Sequence, residues 1–188
     1  MNKVLVTGGS GFLGGYIARE FLQQGWQVAL VDQYRNPEMD PSYQIVTSLL
    51  TNEAENAIAD LQPDLVVHAA GTASVQNSLA NADQDFAGSV VLTQGLLNLL
   101  QRKTPKSKVI FLSSAAVYGN PQKLPISEDD SIAPISPYGY NKYMCELLVE
   151  QYVRVYHLQA CSVRIFSAYG SGLRKQLFWD ICNKIDRK

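Results

Sequence analysis

The stretch that most limits what this chain can fold into is Thr7-Gly8-Gly9-Ser10-Gly11-Phe12-Leu13-Gly14. It follows a short apolar run, Val4 to Thr7. It opens a segment, Phe12 to Gln24, in which Leu13, Ile17, Phe21 and Leu22 fall near one helical face before Gly25 ends it. Gly8, Gly11 and Gly14 have the spacing G-x-x-G-x-x-G. The first two let a backbone turn tightly and approach a pyrophosphate, and the third lets helix and strand pack closely. A helix N-terminus after such a turn offers free N–H groups and partial positive charge to phosphates. The strand-to-helix context separates this pattern from a chance run of glycines. Its partner is Asp32, which ends the next buried run, Val28 to Val31, 18 residues after Gly14. A carboxylate there accepts hydrogen bonds from adenosine ribose hydroxyls and repels a 2′-phosphate, which favours NAD over NADP. The plain alternative is a turn residue at a strand end, and the neighbouring Arg35 keeps NADP open.

Apolar runs of strand length continue to alternate with helical stretches. Tyr43 to Val46 is a weak strand and Asn52 to Leu61 a helix. Leu65 to His68 is a strand, Ala82 to Arg102 a long helix, and Val109 to Leu112 a strand. Tyr138 to Tyr156 is a long amphipathic helix, Cys161 to Ile165 a strand, and Arg174 to Ile185 a helical tail. Such alternation predicts an α/β fold, a doubly wound parallel sheet with helices on both faces. The 188 residues suit one domain, 1–188. The segment 120–137, with Pro121, Pro125, Pro134 and Pro137, is long for an irregular loop, and such loops are commonly functional.

Lys plus Arg is 16 against Asp plus Glu 17, a net charge of −1, which argues against a polyanion-binding surface. No apolar run reaches the roughly 18–20 residues that cross a bilayer. The expectation is therefore no nucleic acid and no membrane. Cys145, Cys161 and Cys182 have no Cys-x-x-Cys spacing, and with only two His no metal site is expected. Reduced thiols and an amino-terminus unlike a signal peptide predict a cytoplasmic protein.

Tyr138 and Lys142, four residues apart, share a helix face. A phenol with a pKa near ~10 is a poor base at neutral pH. An ammonium and a nicotinamide cation nearby would favour its phenolate and make it a usable acid/base. Two surface residues of an amphipathic helix would show the same spacing. Ser113 and Ser114 end the strand from Val109. A hydroxyl at the carboxyl end of a parallel strand can meet a ligand, although it can equally cap the strand.

Taken together these stretches resemble the extended short-chain dehydrogenase/reductase family, in its NAD-dependent epimerase/dehydratase branch (UDP-glucose 4-epimerase-like). The matching segments are TGGSGFLG at 7–14, Asp32, PDLVVHAAG at 63–71, LSSAAVYG at 112–119, SPYGYNK at 136–142 and VRIFSAYG at 163–170. The resemblance implies a Rossmann fold and NAD as cofactor. It implies Ser114, Tyr138 and Lys142 as the catalytic set. Tyr138 would exchange the proton, Lys142 would hold the nicotinamide ribose and lower the Tyr138 pKa, and Ser114 would orient the substrate hydroxyl. Gly8, Gly11, Phe12, Leu13, Gly14 and Asp32 would contact the cofactor, with Ser48 and Leu49 near the adenine and Ala69, Ala70 and Gly71 beneath it. Three positions depart from the family pattern. Ser48 stands where many members have Asp, while Ser89 and Ser167 replace Asn. The last is placed by the resemblance near the sugar-nucleotide phosphates.

Elimination needs an extra acid and base after the active-site Ser, and this chain has Ala115 and Ala116 there. The resemblance then implies a nucleotide-sugar epimerase working through a transient keto sugar. A keto-sugar reductase or dehydrogenase, and an idle NAD-binding scaffold, remain open. Relatives continue into a substrate lobe, so the chain reads as a cofactor domain with that lobe largely absent. Apolar residues on the two long helices (Val90, Val91, Leu92, Leu96, Leu97, Leu99 and Leu100; Leu147, Leu148, Val149, Val153 and Val155) predict a homodimer, against a thicker monomer core, and the resemblance implies that these helices pair in a four-helix interface.

Overall fold

Runs of Val, Leu and Ile bounded by glycine or polar residues form a six-stranded, all-parallel sheet in this computed structural model, which describes residues 1–40, 44–173 and 176–186. The strands are β1 (Lys3–Thr7), β2 (Gln27–Asp32), β3 (Gln44–Val46), β4 (Leu65–His68), β5 (Lys108–Ser114) and β6 (Ala160–Ile165). Their order is β3-β2-β1-β4-β5-β6, so the direction of winding reverses between β1 and β4. Register places Thr7 beside both Val31 and His68. The carboxyl ends of β1, β2 and β4 therefore open into one crevice, where open α/β sheets bind ligands.

Alternation along each strand makes two cores. Leu5, Val31, Val66 and Phe111 face α2 (Asn52–Leu61), α5 (Leu92–Lys103) and α6 (Pro137–Tyr156). Val4, Val6, Val28 and Leu30 face α1 (Phe12–Gln23). The second face is covered unevenly, because Cys161 and Val163 of β6 stay exposed on it. Helix α7 (Gln176–Asp186) lies mostly in solvent, with Leu177, Phe178, Trp179, Ile181 and Ile185 exposed. None of the described helices is long and apolar enough to cross a membrane.

Three expectations need correction. The long helix from Ala82 is not uniform. It starts as α4 (Ala82–Phe86), widens into a π-turn over Ala87–Val91 and resumes as α5. The wide turn shifts the helical phase between Ser89 and Leu96, a device common at functional sites. A short helix, α3 (Val75–Ala80), capped by the Ser74 side chain on Asn77 N–H, precedes it without any apolar periodicity to announce it. The apolar surplus on the long helices is also smaller than expected. Leu96, Leu97, Leu99, Leu100 and Val149 are buried in the monomer core, while Val90, Leu92, Leu148 and Val153 are half-buried. Only Val91, Leu147 and Val155 of that set are exposed. Tyr43 and Arg174, within the expected third strand and tail helix, lie outside the described residues.

His68 pins β4 between β1 and α5. Its Nδ1 is 2.7 Å from Thr7 Oγ1 and its Nε2 3.1 Å from Thr93 Oγ1. A neutral imidazole donates from one nitrogen and accepts at the other, and the two hydroxyls rotate to match. Burial, aided by the Lys142 charge, pushes the His68 pKa down from 6.5 to about 3. Folding therefore excludes a proton that the unfolded chain takes up below 6.5. Stability from this site is complete above that pH and is lost as pH falls towards 3. We expect urea denaturation to show a loss of about 1.4 kcal/mol per pH unit in that window. His68→Asn should flatten this part of the profile, and an unchanged slope in the variant would contradict the assignment.

Candidate active site

The glycine turn closes on itself. Gly8 has φ of +70°, and a Cβ on Gly14 would stand 2.2 Å from the Gly8 carbonyl oxygen. Only hydrogen fits between α1 and the end of β1. No side chain caps α1, and no acidic residue occupies its first turn. Its first N–H groups and positive end are thus left for an anion. Above the turn lies a cavity of about 310 Å³ at the carboxyl ends of β1, β2 and β4. Gly8, Gly11, Asp32, Leu49, Ala69, Ala70 and Gly71 line it, as the sequence led one to expect. Ser48, Phe12, Leu13 and Gly14 do not line it. Phe12 stacks edge-on against Tyr16, Leu13 packs into the α1 core, and Ser48 turns its carbonyl to the Thr51 hydroxyl.

Asp32 is held rather than loose. Ser10 N–H donates to its Oδ2 at 2.9 Å and Tyr34 N–H to its Oδ1 at 3.2 Å. Gln33, Thr47, Thr72, Gly88 and Leu92 also line the cavity, and the sequence reading missed them. Strand order would have found Thr47. Val46 pairs with Asp32, so the next residue must sit at the same rim, where Thr47 N–H donates to Asp32 O at 2.9 Å. A larger, shallower hollow of about 610 Å³ lies among Val109, Ile110, Val153 and Leu158, at the amino ends of the strands, where parallel sheets do not place their chemistry.

At the other end of the crevice three side chains converge. Ser136 caps α6 by accepting from Gly139 N–H at 3.1 Å, with Pro137 in the first turn. The helix then packs its first turn on the 3₁₀ turn Ala115–Tyr118. Ser114 caps that turn through Ala116 N–H at 3.2 Å, and its hydroxyl is near enough to the Tyr138 phenol to pull the phenol's pKa down. The capping reading of Ser114 therefore holds. Ser113 is committed elsewhere, since its hydroxyl donates to the Glu146 carboxylate. Lys142 Nζ donates to Leu112 O at 3.0 Å and lies 5.9 Å from the Tyr138 ring centroid. A Cβ on Gly71 would be 4.0 Å from both Lys142 Nζ and Ser89 Oγ, so the cavity floor meets the lysine. Ser89 itself pairs with Thr72 at 2.8 Å. Ser167 is exposed just past β6 and does not reach the cavity lining.

Within the chain, burial pushes the Tyr138 phenol above its ordinary value. The Ser114 hydrogen bond pulls it down and the Asp85 charge pushes it further up. The expected downward pull of Lys142 does not figure among the influences on the phenol, and its ammonium is tied to the Leu112 carbonyl. Burial in turn pushes Lys142 below the usual ammonium range, against the opposing influence of Cys145 and Asp85.

A half-buried group braces this end. Arg164 of β6 pairs with Glu146 of α6 at 2.8 Å, and also donates to the Tyr118 hydroxyl at 2.7 Å and Glu128 O at 3.1 Å. One guanidinium thus joins the sheet edge, α6, the 3₁₀ turn and the long loop. Arg164→Met would leave the Glu146 carboxylate inside without its partner. We expect a loss of about 3 kcal/mol in chemical unfolding, and a change under half of that would show the brace to be ornamental.

The sequence matches the NAD dependent epimerase/dehydratase family over residues 4–185. The bifunctional UDP-glucose 4-epimerase and UDP-xylose 4-epimerase 1 of Pisum sativum is 32% identical over 160 residues, covering 77% of this chain and 45% of that protein. The crystal structure of UDP-glucose 4-epimerase from Brucella ovis in complex with NAD superposes with a TM-score of 0.82 at 31% identity, over 90% of this chain and 53% of the other. An NAD dependent NDP-hexosamine 5,6-dehydratase superposes with a TM-score of 0.87 at 29% identity, over 100% of this chain and 62% of the other. The chain spans about half the length of the curated relatives it matches. With the glycine turn, the strand order and the Ser-Tyr-Lys convergence in place, the chain belongs to the NAD dependent epimerase/dehydratase family.

Proposed function

We propose that this chain is the NAD-binding unit of a nucleotide-sugar epimerase, with UDP-hexoses as the substrate class. The observation that carries this reading is the meeting of Ser114, Tyr138 and Lys142 at the end of a cavity floored by Gly8 and Gly71. The residues suit a dinucleotide. The uncapped start of α1 suits its phosphates, a Cβ on Gly8 would lie 2.6 Å from Ala70 N where the backbone must stay bare, and Asp32 offers its remaining lone pairs to ribose hydroxyls. Bound NAD would supply reversible hydride acceptance at the sugar carbon. The chain supplies the proton traffic and the orientation. Tyr138 Oη takes the proton of the reacting hydroxyl and gives it back. Ser114 Oγ orients that hydroxyl while it steadies the phenol. Lys142 Nζ, with two N–H donors left after Leu112 O, would hold the nicotinamide ribose. Ser167 stands on the substrate side, at the carboxyl end of β6. Ala115 and Ala116 offer no second acid or base, which favours reversible oxidation over elimination. The relatives that are UDP-sugar 4-epimerases support the same reading.

Val91, Leu147 and Val155, joined by Phe86, Tyr140 and Tyr156, leave an exposed apolar strip along the π-turn and α6. We take this strip as the homodimer face, where copies pair through these helices in a cytoplasmic protein. Light scattering at micromolar concentration should give the mass of two chains, and a monomer there would remove the dimer.

Calorimetric titration should show NAD binding more tightly than NADP. Asp32→Ala should weaken NAD by about 1.5–3 kcal/mol, the usual value of a hydrogen bond to a charged group. Equal binding of both nucleotides by the unaltered chain would defeat the role given to Asp32.

In a form of the protein that turns over UDP-sugars, Tyr138→Phe should lower the interconversion rate by roughly 10²–10⁴-fold with NAD binding kept. Lys142→Met should lower both rate and NAD affinity. Accumulation of reduced NAD instead of epimer exchange would favour a dehydrogenase, and a Tyr138→Phe rate equal to the parent's would leave only a scaffold.

A further inference from the structure

Asp85 puts a carboxylate inside the protein that neither the sheet nor the cofactor cavity accounts for. It lies on α4 two residues before the π-turn and is 2% exposed. Its Oδ2 accepts from Asn141 Nδ2 at 2.6 Å. Its Oδ1 is fully buried and has no hydrogen-bond partner among the described residues. A buried carboxylate oxygen without a donor is costly, and native proteins keep one only for a reason.

The surroundings supply that reason. Tyr138, Asn141, Lys142 and Cys145 recur at i, i+3, i+4 and i+7 and form one stripe of α6, packed against α4 and the π-turn. Asn141 stands in that stripe between Tyr138 and Lys142 and ties Asp85 to it. The other titratable groups near Lys142 contribute no opposing charge at neutral pH. Glu146 is taken up by Arg164 and Ser113. Burial pushes the Cys145 thiol up, so it stays neutral. His68 is neutral between its two threonines. Asp83 of α4 is exposed.

We propose that Asp85 is a positioning residue for the reaction centre: tethered by Asn141, it is the internal counter-charge that keeps Lys142 an ammonium and makes the Tyr138 phenolate harder to form. The two effects have one source, since an anion favours a neighbouring cation and opposes a neighbouring anion. Both directions match the influence of Asp85 on the two groups. The importance of this for turnover rests on the reading of Tyr138 and Lys142 as the reaction centre. The charge coupling itself is a property of this chain.

The test is made on the chain without nucleotide or sugar. Lysines carrying ¹³C at Cε are followed by NMR through a pH titration, with the Lys142 signal identified by its loss in Lys142→Met. In Asp85→Asn the Lys142 midpoint should fall by on the order of one pH unit. Tyrosinate absorbance, taken as parent minus Tyr138→Phe, should show the Tyr138 midpoint falling too. Asn141→Ala keeps the charge and removes the tether, so it should give a smaller fall in both. Asp85→Ser, an uncharged oxygen for Asn141, repeats the measurement should Asp85→Asn not fold. A role in packing alone would alter thermal stability and leave both midpoints in place, and that result, or a rise in either, overturns the proposal. It would leave the NAD and Tyr138→Phe tests untouched, just as their failure would leave the midpoints unaffected.

Discussion

A Cβ at position 139 would sit 2.7 Å from the Ala116 carbonyl oxygen, so α6 can close on the 115–118 turn only with glycine there. The rest of the site hangs on that contact. It brings the first turn of α6 down onto the end of β5, which sets Tyr138 against Ser114. One turn later it buries Lys142 over the Phe111 ring at 5.0 Å. The approach is fixed from both sides. Ser136 and Pro137 determine where the helix begins, and Ser114 determines where the opposing turn begins. An arrangement built on two helical caps and one close backbone approach has little room to drift, which suits the catalytic role we propose for it, since positioned groups lose rate quickly when displaced.

Holding Lys142 inside has an electrostatic cost, and the structure spreads it over several groups. The ammonium has a carbonyl, an aromatic face and a carboxylate on the facing helix, but no acid within ion-pair distance among the described residues. A direct ion pair would satisfy the lysine and also immobilise it away from the cavity. A counter-charge set back behind Asn141 leaves donors free to point at the cavity floor beneath Gly71. Glu146, one turn along the same helix, shows the opposite solution. It is paired as fully as Arg164 allows, and its work is to join elements.

The inner strands β1, β2, β4 and β5 were legible because they are largely apolar runs, and runs buried on both faces leave few alternatives. The glycine turn was legible for the same reason. Its three glycines answer a steric requirement that the structure shows directly at Gly8 and Gly14. Ser114, Tyr138 and Lys142 were found through a resemblance, since four-residue spacing alone would not have separated them from an ordinary helix face. What escaped has no local signal. The π-turn is one extra residue in a helix whose apolar periodicity continues through it. Asp85 and Asn141 are 56 residues apart in the chain and meet only once α4 lies on α6. His68 reads as the last residue of a strand until Thr7 and Thr93 are placed on either side. Apolar count on the long helices misled for a related reason. It cannot tell a face that covers the sheet from a face that meets water.

Cofactor choice is where a local feature carries most of the decision. Asp32 ends β2 with its carboxylate already oriented by Ser10 and Tyr34, so no side-chain freedom remains to be lost when a ligand arrives. Each oxygen has given one lone pair to the backbone and keeps another for a ribose hydroxyl. A 2′-phosphate in the same place would bring negative charge against a carboxylate that cannot swing away, because the glycine turn itself holds it through Ser10. The same hydrogen bond that ties down the glycine turn thus fixes the carboxylate to which we assign the choice of ribose. Arg35, exposed beyond the strand end, has no such support among the described residues, and an exposed surface cation offers a 2′-phosphate far less than the fixed anion takes away.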